Sequence, residues 1–216
     1  MMIVAIDGPA GAGKSTVARQ LAIILKIPYL DTGAMYRGVT FAALSRGIHP
    51  AATEAIGHLA RTVKLVIQDR SLLVDGIEAT EAIRADDVTA AVSAVAANSQ
   101  VREELRMRQR EWVREQGGGV VEGRDIGTVV FPEATLKVYL TASSMVRAKR
   151  RVEQNGGDVD EIAASIATRD RQDSTRADGP LREASDSVLI DTSDRTVEDV
   201  VAQLTQLVRS AESRHG

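Results

Sequence analysis

Five short apolar runs alternate with segments of helical periodicity along the chain. The runs are three to five residues long, which is typical of strands buried on both faces of a parallel sheet. They cover residues 3–6, 28–30, 120–122, 136–140 and 188–190. The clearest helical patterns cover residues 14–25, 34–45, 101–115, 145–154 and 197–209. This alternation predicts an α/β fold in which βαβ units build a five-stranded parallel sheet.

Two segments break the alternation. In the first, apolar runs cover residues 63–67, 72–74 and 77–80, and Asp75-Gly76 joins the last two. Because Asp-Gly is a strong two-residue hairpin signal, we expect a small antiparallel sheet within an insert of about residues 60–98. The second segment, about residues 146–176, is rich in charge and is split by Gly156-Gly157. It predicts two helices that form a lid.

The most informative motif lies between the first strand and the first helix. Gly8 to Ser15 reads GPAGAGKS and fits the phosphate-binding pattern G-x-x-x-x-G-K-[ST]. Its glycines let backbone N–H groups turn toward phosphate oxygens, and the helix N-terminus adds its positive dipole end. We expect Lys14 to reach the β- and γ-phosphates of ATP and Ser15 to ligate Mg²⁺, with Thr16 in support. The expected ATP-binding residues are Gly8, Pro9, Ala10, Gly11, Ala12, Gly13, Lys14, Ser15 and Thr16.

The residue before this motif, Asp7, is expected to brace the phosphate loop, with a place in the outer shell of the metal as the alternative.

Polar residues follow every predicted strand, at the edge of the sheet where doubly wound folds bind their ligands. We expect Asp31, Arg124 and Asp125 to form part of a site, because helix capping does not account for their charges. Four other residues are expected to cap the helices that follow them. These are Ser143, Ser144, Thr192 and Ser193.

Composition narrows the function. The 216 residues suit one domain, and the net charge of −3 gives no general attraction to nucleic acid. No apolar run approaches the roughly 20 residues of a membrane span, and no leader pattern opens the chain, so a cytoplasmic protein is expected. There is no cysteine, and the three histidines are scattered, which gives no sign of a Cys/His metal site. The 22 arginines against five lysines suit phosphate binding, although compositional bias also raises such a count.

The remaining motifs favour a small-molecule kinase among phosphate-loop proteins. A GTP switch needs a guanine-reading N-K-x-D, which is absent. Residues 120–125, VVEGRD, match the acidic strand of motor and transporter ATPases only loosely. A kinase needs a lid that excludes water, and Arg147 and Arg151 are four residues apart on a predicted lid helix. Their spacing suits a contact with the transferring phosphoryl group, and a solvated helix end is the alternative.

Four stretches resemble the bacterial cytidylate kinases, a family of nucleoside monophosphate kinases. They are AIDGPAGAGKST, YLDTGAMYR, EGRDIGTVVFPEA and RDRQDSTRADGPL, and they span nearly the whole chain. The first is generic, whereas the other three are specific in combination. The resemblance implies a three-layer P-loop kinase fold with a monophosphate-binding insert and a lid. It also implies Mg²⁺-dependent transfer of the γ-phosphoryl group of ATP to CMP or dCMP.

The resemblance further implies which residues handle the phosphates. Tyr36 and Arg37 of YLDTGAMYR would lie beside the acceptor, and Arg37 and Arg124 would clamp its α-phosphate. Arg147 and Arg151 are implied for the lid by analogy with related kinases. The expected catalytic residues are therefore Lys14, Arg37, Arg124, Arg147 and Arg151.

Base and sugar contacts are implied in the same way. Asp125, with Ser93 and Arg102, would read cytosine, which suits a carboxylate because it accepts from the exocyclic amine of that base. Arg169 and Asp173 would contact sugar hydroxyls. Arg176 would be a second base or phosphate contact, and Thr32 would face the nucleotide.

Two alternatives stay open at this point. One is a related kinase with another acceptor, such as UMP, dTMP or shikimate. The other is a nucleotide-binding regulator that transfers no phosphate. The Arg124-Asp125 pair and the cluster of Arg169, Asp173 and Arg176 favour a second, anionic, base-bearing ligand, which a regulator does not need. No apolar seam beyond the core is evident, so a monomer is expected, with nucleotides as its partners.

Overall fold

The computed structural model describes residues 1–68 and 71–215, with side chains described to residue 211. The elements along the chain are β1 (Met2–Asp7), α1 (Lys14–Leu25), β2 (Tyr29–Asp31), α2 (Thr32–Ser45), α3 (Thr53–Thr62), β3 (Leu65–Gln68), β4 (Ser71–Val74), β5 (Ile77–Glu78), α4 (Asp86–Ala97), α5 (Ser99–Gln116), β6 (Gly118–Glu122), β7 (Leu136–Thr141), α6 (Ser144–Asn155), α7 (Val159–Thr175), β8 (Val188–Asp191) and α8 (Val197–His215). A short 3-10 turn (Ala82–Arg84) and a π-helical segment (Ile126–Val130) complete the list.

The main sheet has five strands in the order β2-β6-β1-β7-β8. β1 pairs in parallel with β6 and β7, and β7 pairs in parallel with β8. All five predicted strands are confirmed. Because β1 lies in the middle, the segments that follow β1, β6 and β7 emerge side by side at the carboxyl edge of the sheet.

The chain divides into two compact units, Met1–Leu30 with Val113–Gly216, and Asp31–Trp112. In the first unit, α1 and α8 pack against the sheet around a core of aliphatic side chains. Val4, Ile6, Leu21, Leu140 and Leu204 are members of this core. Their positions follow the predicted apolar runs and helix stripes, and burial of such side chains is the main stabilising contribution.

The second unit contains the predicted antiparallel meander. β3, β4 and β5 form a three-stranded sheet, and Asp75 and Gly76 both adopt positive φ values, 52° and 82°, in the predicted hairpin turn. The Asp75 carboxylate accepts a hydrogen bond from the Lys64 N–H at 2.9 Å, which fixes the turn to the neighbouring strand. The unit spans residues 31–112, further on both sides than the predicted insert of about 60–98.

The predicted helix pair at the charged segment is confirmed as α6 and α7. Gly156 and Gly157 separate the two helices with φ values of 73° and 100°. The Ser143 hydroxyl caps α6 by accepting from the Val146 N–H. The Asp158 carboxylate caps α7 by accepting from the N–H groups of Asp160 and Glu161. Of the residues expected to cap helices, Ser143 therefore does so, whereas Ser144 is the first residue of α6 itself.

The other two expected caps are wrong, because α8 begins only at Val197. The Thr192 hydroxyl lies 3.2 Å from the carbonyl oxygen of Ala12 and 3.0 Å from that of Thr141. The Ser193 hydroxyl accepts from the Ser143 N–H. Both side chains thus join strand ends and the phosphate loop instead of capping a helix.

Asp31 shows the opposite error. Its carboxylate accepts from the Ala34 N–H at 3.0 Å and caps α2, and it lies 3.7 Å from the Arg84 guanidinium. The expectation that capping does not account for Asp31 is therefore wrong, whereas its place in a ligand site stays a prediction.

No helix within residues 1–68 and 71–215 is both long and apolar enough to cross a membrane.

Candidate active site

The phosphate loop connects β1 to α1 through three glycines with positive φ values. Gly8, Gly11 and Gly13 have φ values of 146°, 79° and 85°. A Cβ atom on Gly8 would lie 2.0 Å from the Leu140 carbonyl oxygen, so no side chain fits there. The loop closes on itself where the Lys14 ammonium donates to the Pro9 carbonyl oxygen at 2.8 Å.

Lys14 is buried, and the nearby carboxylates of Glu122 and Asp7 do not fully offset the cost of burying its charge. Burial, followed by the charge of Arg124, lowers its pKa to about 7, although Glu122 and Asp7 oppose this. A lysine in this state gains most when an anion arrives, because the anion favours the protonated form. The environment of Lys14 therefore suits a phosphate group.

Two arginines add to this positive charge. Burial, followed by the charge of Arg124, lowers the pKa of Arg169 to about 10, and the buried Nε of Arg169 has no hydrogen-bond partner. Burial lowers the pKa of Arg124 as well, but the neighbouring Asp173 carboxylate raises it, and the pKa of Arg124 is above its usual value overall. Lys14, Arg124 and Arg169 thus form a cationic group whose members repel one another and whose natural counterpart is a polyanion.

Carboxylates hold the predicted acceptor residues of the first unit together. The Nε of Arg124 donates to Asp173 at 3.0 Å, and the Arg176 guanidinium lies 3.7 Å from the same carboxylate. Arg176 also lies 3.5 Å from Asp125. Burial raises the pKa of Asp173, but Arg124, Arg169 and Arg176 together hold it below its usual value. Five residues predicted from distant parts of the sequence therefore form one charged network.

Asp7 braces a different segment from the one expected. Its carboxylate accepts hydrogen bonds from the N–H groups of Ile126 and Gly127 at 2.8 and 2.7 Å, within the π-helical segment that directly follows Asp125. Burial raises the pKa of Asp7 to about 6, although both hydrogen bonds oppose this. The expectation that Asp7 braces the phosphate loop is wrong, because it fixes the segment that carries Arg124 and Asp125.

The second unit holds the other predicted acceptor residues. Arg102 is completely buried on α5, where it donates to the Ala96 carbonyl oxygen at 3.3 Å, and its guanidinium carbon lies 5.7 Å from the centre of the Tyr36 ring. This distance is that of a cation–π contact. Arg37 donates to the Ile83 carbonyl oxygen and to the Thr89 hydroxyl, both at 2.9 Å.

Thr32 and Ser93 occupy helices of the same unit. Thr32 is buried in the first turn of α2, and Ser93 is half-buried on α4.

The two arginines predicted for the lid have different environments. Arg147 is buried, and four of its five N–H groups have acceptors: the carbonyl oxygens of Ala142 and Ala10, the Asp170 carboxylate and the Ser144 hydroxyl. Arg151 is half-buried and has no hydrogen-bond or ion-pair partner among the described residues. Of the two, only Arg151 thus keeps its guanidinium available, and the phosphoryl contact remains a prediction for both.

Sequence reasoning did not single out Glu122 and Tyr29. The Tyr29 hydroxyl donates to the buried Glu122 carboxylate at 2.5 Å, and the Arg19 guanidinium lies over the Tyr29 ring at 5.3 Å. The charge of Glu122 favours the protonated form of Lys14. Tyr29 and Glu122 open the motifs YLDTGAMYR and EGRDIGTVVFPEA, and residues 120–125 loosely match an acidic ATPase strand, but nothing in the sequence indicated that the two side chains meet.

The residues present fit Mg²⁺ that arrives with a nucleotide. Ser15 is exposed at the start of α1, and its hydroxyl has no hydrogen-bond partner in the described part of the chain. That same part contains no group of three or more His, Cys, Asp or Glu side chains that could hold a metal. The exposed Ser15 hydroxyl suits Mg²⁺, which proteins usually bind through few side chains together with substrate phosphates and water.

Comparisons with known proteins identify relatives over nearly the full chain. A family model described as cytidylate kinase matches residues 4–210. A cytidylate kinase from Mycolicibacterium paratuberculosis is 49% identical, with 96% of this chain and 95% of that protein covered. A cytidylate kinase from Exiguobacterium sibiricum is 45% identical, with 96% and 97% covered.

A solved structure agrees at the level of the fold. A gluconokinase from Sinorhizobium meliloti superposes with a TM-score of 0.55 at 14% identity and covers 99% of this chain and 95% of its own. At this identity the likeness concerns the fold alone, and that fold is the phosphate-loop kinase fold predicted from the sequence.

Proposed function

The chain belongs to the cytidylate kinase family, and from this premise we propose which of its residues transfer the γ-phosphoryl group of ATP to CMP or dCMP. In this reaction a phosphate oxygen of the acceptor attacks the γ-phosphorus, and the bond to the β-phosphate of ADP breaks. The attacking oxygen is already anionic, so no side chain needs to remove a proton. Catalysis is therefore positioning and neutralisation of charge.

The phosphate loop, Gly8 to Thr16, binds the donor in this proposal. Its backbone N–H groups and the start of α1 face the phosphates, and Lys14 neutralises charge on the β- and γ-phosphates. Mg²⁺ would be held by Ser15 and supplies further charge neutralisation on the transferring group. The lowered pKa of Lys14, which a bound anion would raise again, supports this part of the proposal.

The acceptor phosphate is assigned to arginines. We assign its α-phosphate to Arg37 and Arg124, with Tyr36 and Thr32 beside the nucleotide. Arg151 is assigned to the transferring phosphoryl group when the lid, about residues 146–176, covers the donor.

The base and sugar are assigned to the remaining predicted residues. Asp125 accepts a hydrogen bond from the exocyclic amine of cytosine, and Ser93 and Arg102 complete the reading of the base. In the charged network, we assign Arg169 and Asp173 to the sugar hydroxyls and Arg176 to a second base or phosphate contact.

One observation carries the proposal: a buried network gathers three arginines around the carboxylates of Asp125 and Asp173, close to Lys14. Arg124, Arg169 and Arg176 share Asp125 and Asp173, and the charge of Arg124 also acts on the nearby Lys14. A protein that bound only ATP at its phosphate loop would not need this second buried network. An anionic acceptor with a base does need it.

A substitution at Asp125 tests the assignment. We expect Asp125→Ala to raise the KM for CMP at least tenfold while the affinity for ATP changes less than twofold, because only the acceptor loses a hydrogen bond. Steady-state kinetics with each substrate varied in turn measures both. The matched control is Asp160→Asn, an exposed carboxylate in the first turn of α7. An equal loss toward both substrates would show that Asp125 serves only to hold Arg176.

A cytoplasmic location, a monomeric state and the absence of nucleic-acid partners remain predictions. So does the monophosphate-binding role of the insert of about residues 60–98.

A further inference from the structure

Ala10, in the middle of the phosphate loop, is held at both of its backbone polar groups by one pair of lid side chains. The Ala10 N–H donates to one carboxylate oxygen of Asp170 at 3.4 Å. The Ala10 carbonyl oxygen accepts from Arg147 at 3.0 Å. Arg147 also donates to the second Asp170 oxygen at 2.5 Å. The three residues form a closed ring of hydrogen bonds, which we call the Ala10 clasp.

The clasp lies where the loop is packed most closely. A Cβ atom on Gly11, the next residue, would lie 2.9 Å from the Arg147 Cβ and 3.2 Å from the Arg147 carbonyl oxygen. The backbone of α6 is therefore in direct contact with the loop, and Asp170 brings α7 to the same point. Both lid helices reach the loop through side chains that are largely buried, with 8% of Arg147 and 18% of Asp170 exposed.

A loop with three glycines of positive φ has few interactions of its own to fix its shape. Lys14 is bonded to the Pro9 carbonyl oxygen, which holds the loop at one side of Ala10. The clasp holds Ala10 itself. Phosphates bind where several backbone N–H groups of the loop point to one place. An interaction that fixes the loop in this shape before the donor arrives lowers the entropy cost of binding it.

We propose that Asp170 is a positioning residue for the phosphoryl donor, acting through Arg147 and the backbone of Ala10. In this role Arg147 is a positioning residue as well, because its donors are directed to the loop, to Ala142, to Ser144 and to Asp170. The inference rests on the proposed function only in taking ATP as the donor. It adds a residue, Asp170, to which neither the sequence motifs nor the family comparison assign a role.

Asp170→Asn tests the clasp with a side chain of the same shape. The amide can still accept from Ala10, but its NH₂ group opposes Arg147, so the ring opens. We expect the Kd for ATP, titrated directly without acceptor, to rise about tenfold, while the KM for CMP changes less than twofold. Asp160→Asn, the same change at an exposed position of α7, should leave both unchanged. Wild-type affinity for ATP in Asp170→Asn would overturn the proposal.

Two further readouts separate positioning from mere stability. The Ala10 amide should exchange its hydrogen faster in Asp170→Asn than in the wild type without nucleotide, at an unchanged melting temperature. Arg147→Met combined with Asp170→Asn should weaken ATP binding no more than either change alone. Fully additive losses, or unchanged exchange at Ala10, would contradict the clasp.

The clasp and the proposed function can fail separately. If the wild type binds ATP and Asp170→Asn weakens that binding, the clasp stands even when no phosphate reaches CMP. If the wild type phosphorylates CMP while Asp170→Asn binds ATP normally, the function stands and the clasp is wrong.

Discussion

Lys14 is buried close to the charge of Arg124, and the consequence is a pKa close to neutral pH. Burial and the charge of Arg124 lower its pKa to about 7, so the free protein loses the Lys14 proton as the pH rises above that value. Bound phosphates favour the protonated lysine and raise its pKa again. Binding of ATP above pH 7 therefore takes up a proton.

The expected result is that ATP affinity falls as the pH rises from 7 to 9, by up to about tenfold per pH unit. Calorimetric titrations in two buffers of different ionisation enthalpy measure both the Kd and the proton uptake. Lys14→Arg should remove the dependence, because an arginine does not titrate in this range. Constant affinity from pH 6 to 9 in the wild type would contradict this account of Lys14.

The charged members of the predicted site are signalled by the sequence itself. Arg124, Asp125 and Asp173 lie in the charged stretches GRD and RDRQDSTR, and such charges are unusual at the buried edge of a sheet. In the structure these residues belong to one network, linked by Arg176 and by the contact of Arg124 with Asp173. Asp170 lies in the same charged string as Asp173, and Asp7 precedes the phosphate loop, but neither position indicates which groups the carboxylate binds. Their partners are backbone N–H groups more than 100 residues away, at Ile126 and Ala10, and only the folded chain brings them within reach.

At the scale of elements, α6 packs directly against the phosphate loop at Gly11, where the loop carries no side chain. An alanine there would meet Arg147 at 2.9 Å in addition to the strain of its φ of 79°. Gly117 offers a matched control, because its φ of 73° is similar and nothing lies within 4 Å of a Cβ atom there.

We expect Gly117→Ala to lower the free energy of unfolding by about 1 kcal/mol, the cost of a non-glycine residue at positive φ. Gly11→Ala should lower it by about 2–4 kcal/mol, because overpacking adds to the same strain. Urea unfolding of both variants measures the difference. Equal losses would mean that α6 moves away from the loop without cost.

The elements differ in how well the sequence predicts them. The five buried strands were predicted because continuous apolar runs leave few alternatives, and Asp75-Gly76 placed the hairpin. α3 and α4 were missed. α3 carries Gly57 in its interior, and α4 is so rich in alanine and valine that no polar face marks its period. The π-helical segment could not be predicted, because the Asp7 carboxylate holds its first N–H groups.

At the scale of the whole molecule, the predicted lid, formed by α6 and α7, is the part with the clearest expected response to ligands. α6 and α7 carry many exposed charged residues, and Ile166 is the one hydrophobic side chain of α7 that is buried among the described residues. Segments with few buried apolar side chains open at low cost in free energy. Nucleotides that contact both the arginines of α6 and α7 and the phosphate loop should therefore make opening of the two helices less frequent.

Hydrogen exchange over residues 144–175 measures this response. We expect protection to increase when ATP and CMP are added together, and to increase less with either alone. β6, which is buried throughout, is the internal control and should not change. Hydrogen exchange over residues 144–175 that stays the same with and without both nucleotides would contradict the assignment of this segment as a lid.

The whole protein's central property is its choice of acceptor, and ADP release with ATP and Mg²⁺ tests it most directly. The acceptors are CMP, dCMP, UMP, AMP and dTMP in turn, with Lys14→Met as the control for contaminating kinases. The account predicts that CMP and dCMP support turnover at least tenfold faster than the other three, and that Lys14→Met loses at least about 100-fold of it. Turnover with UMP, AMP or dTMP that equals or exceeds turnover with CMP would contradict it. So would a failure to release ADP with any of the five acceptors.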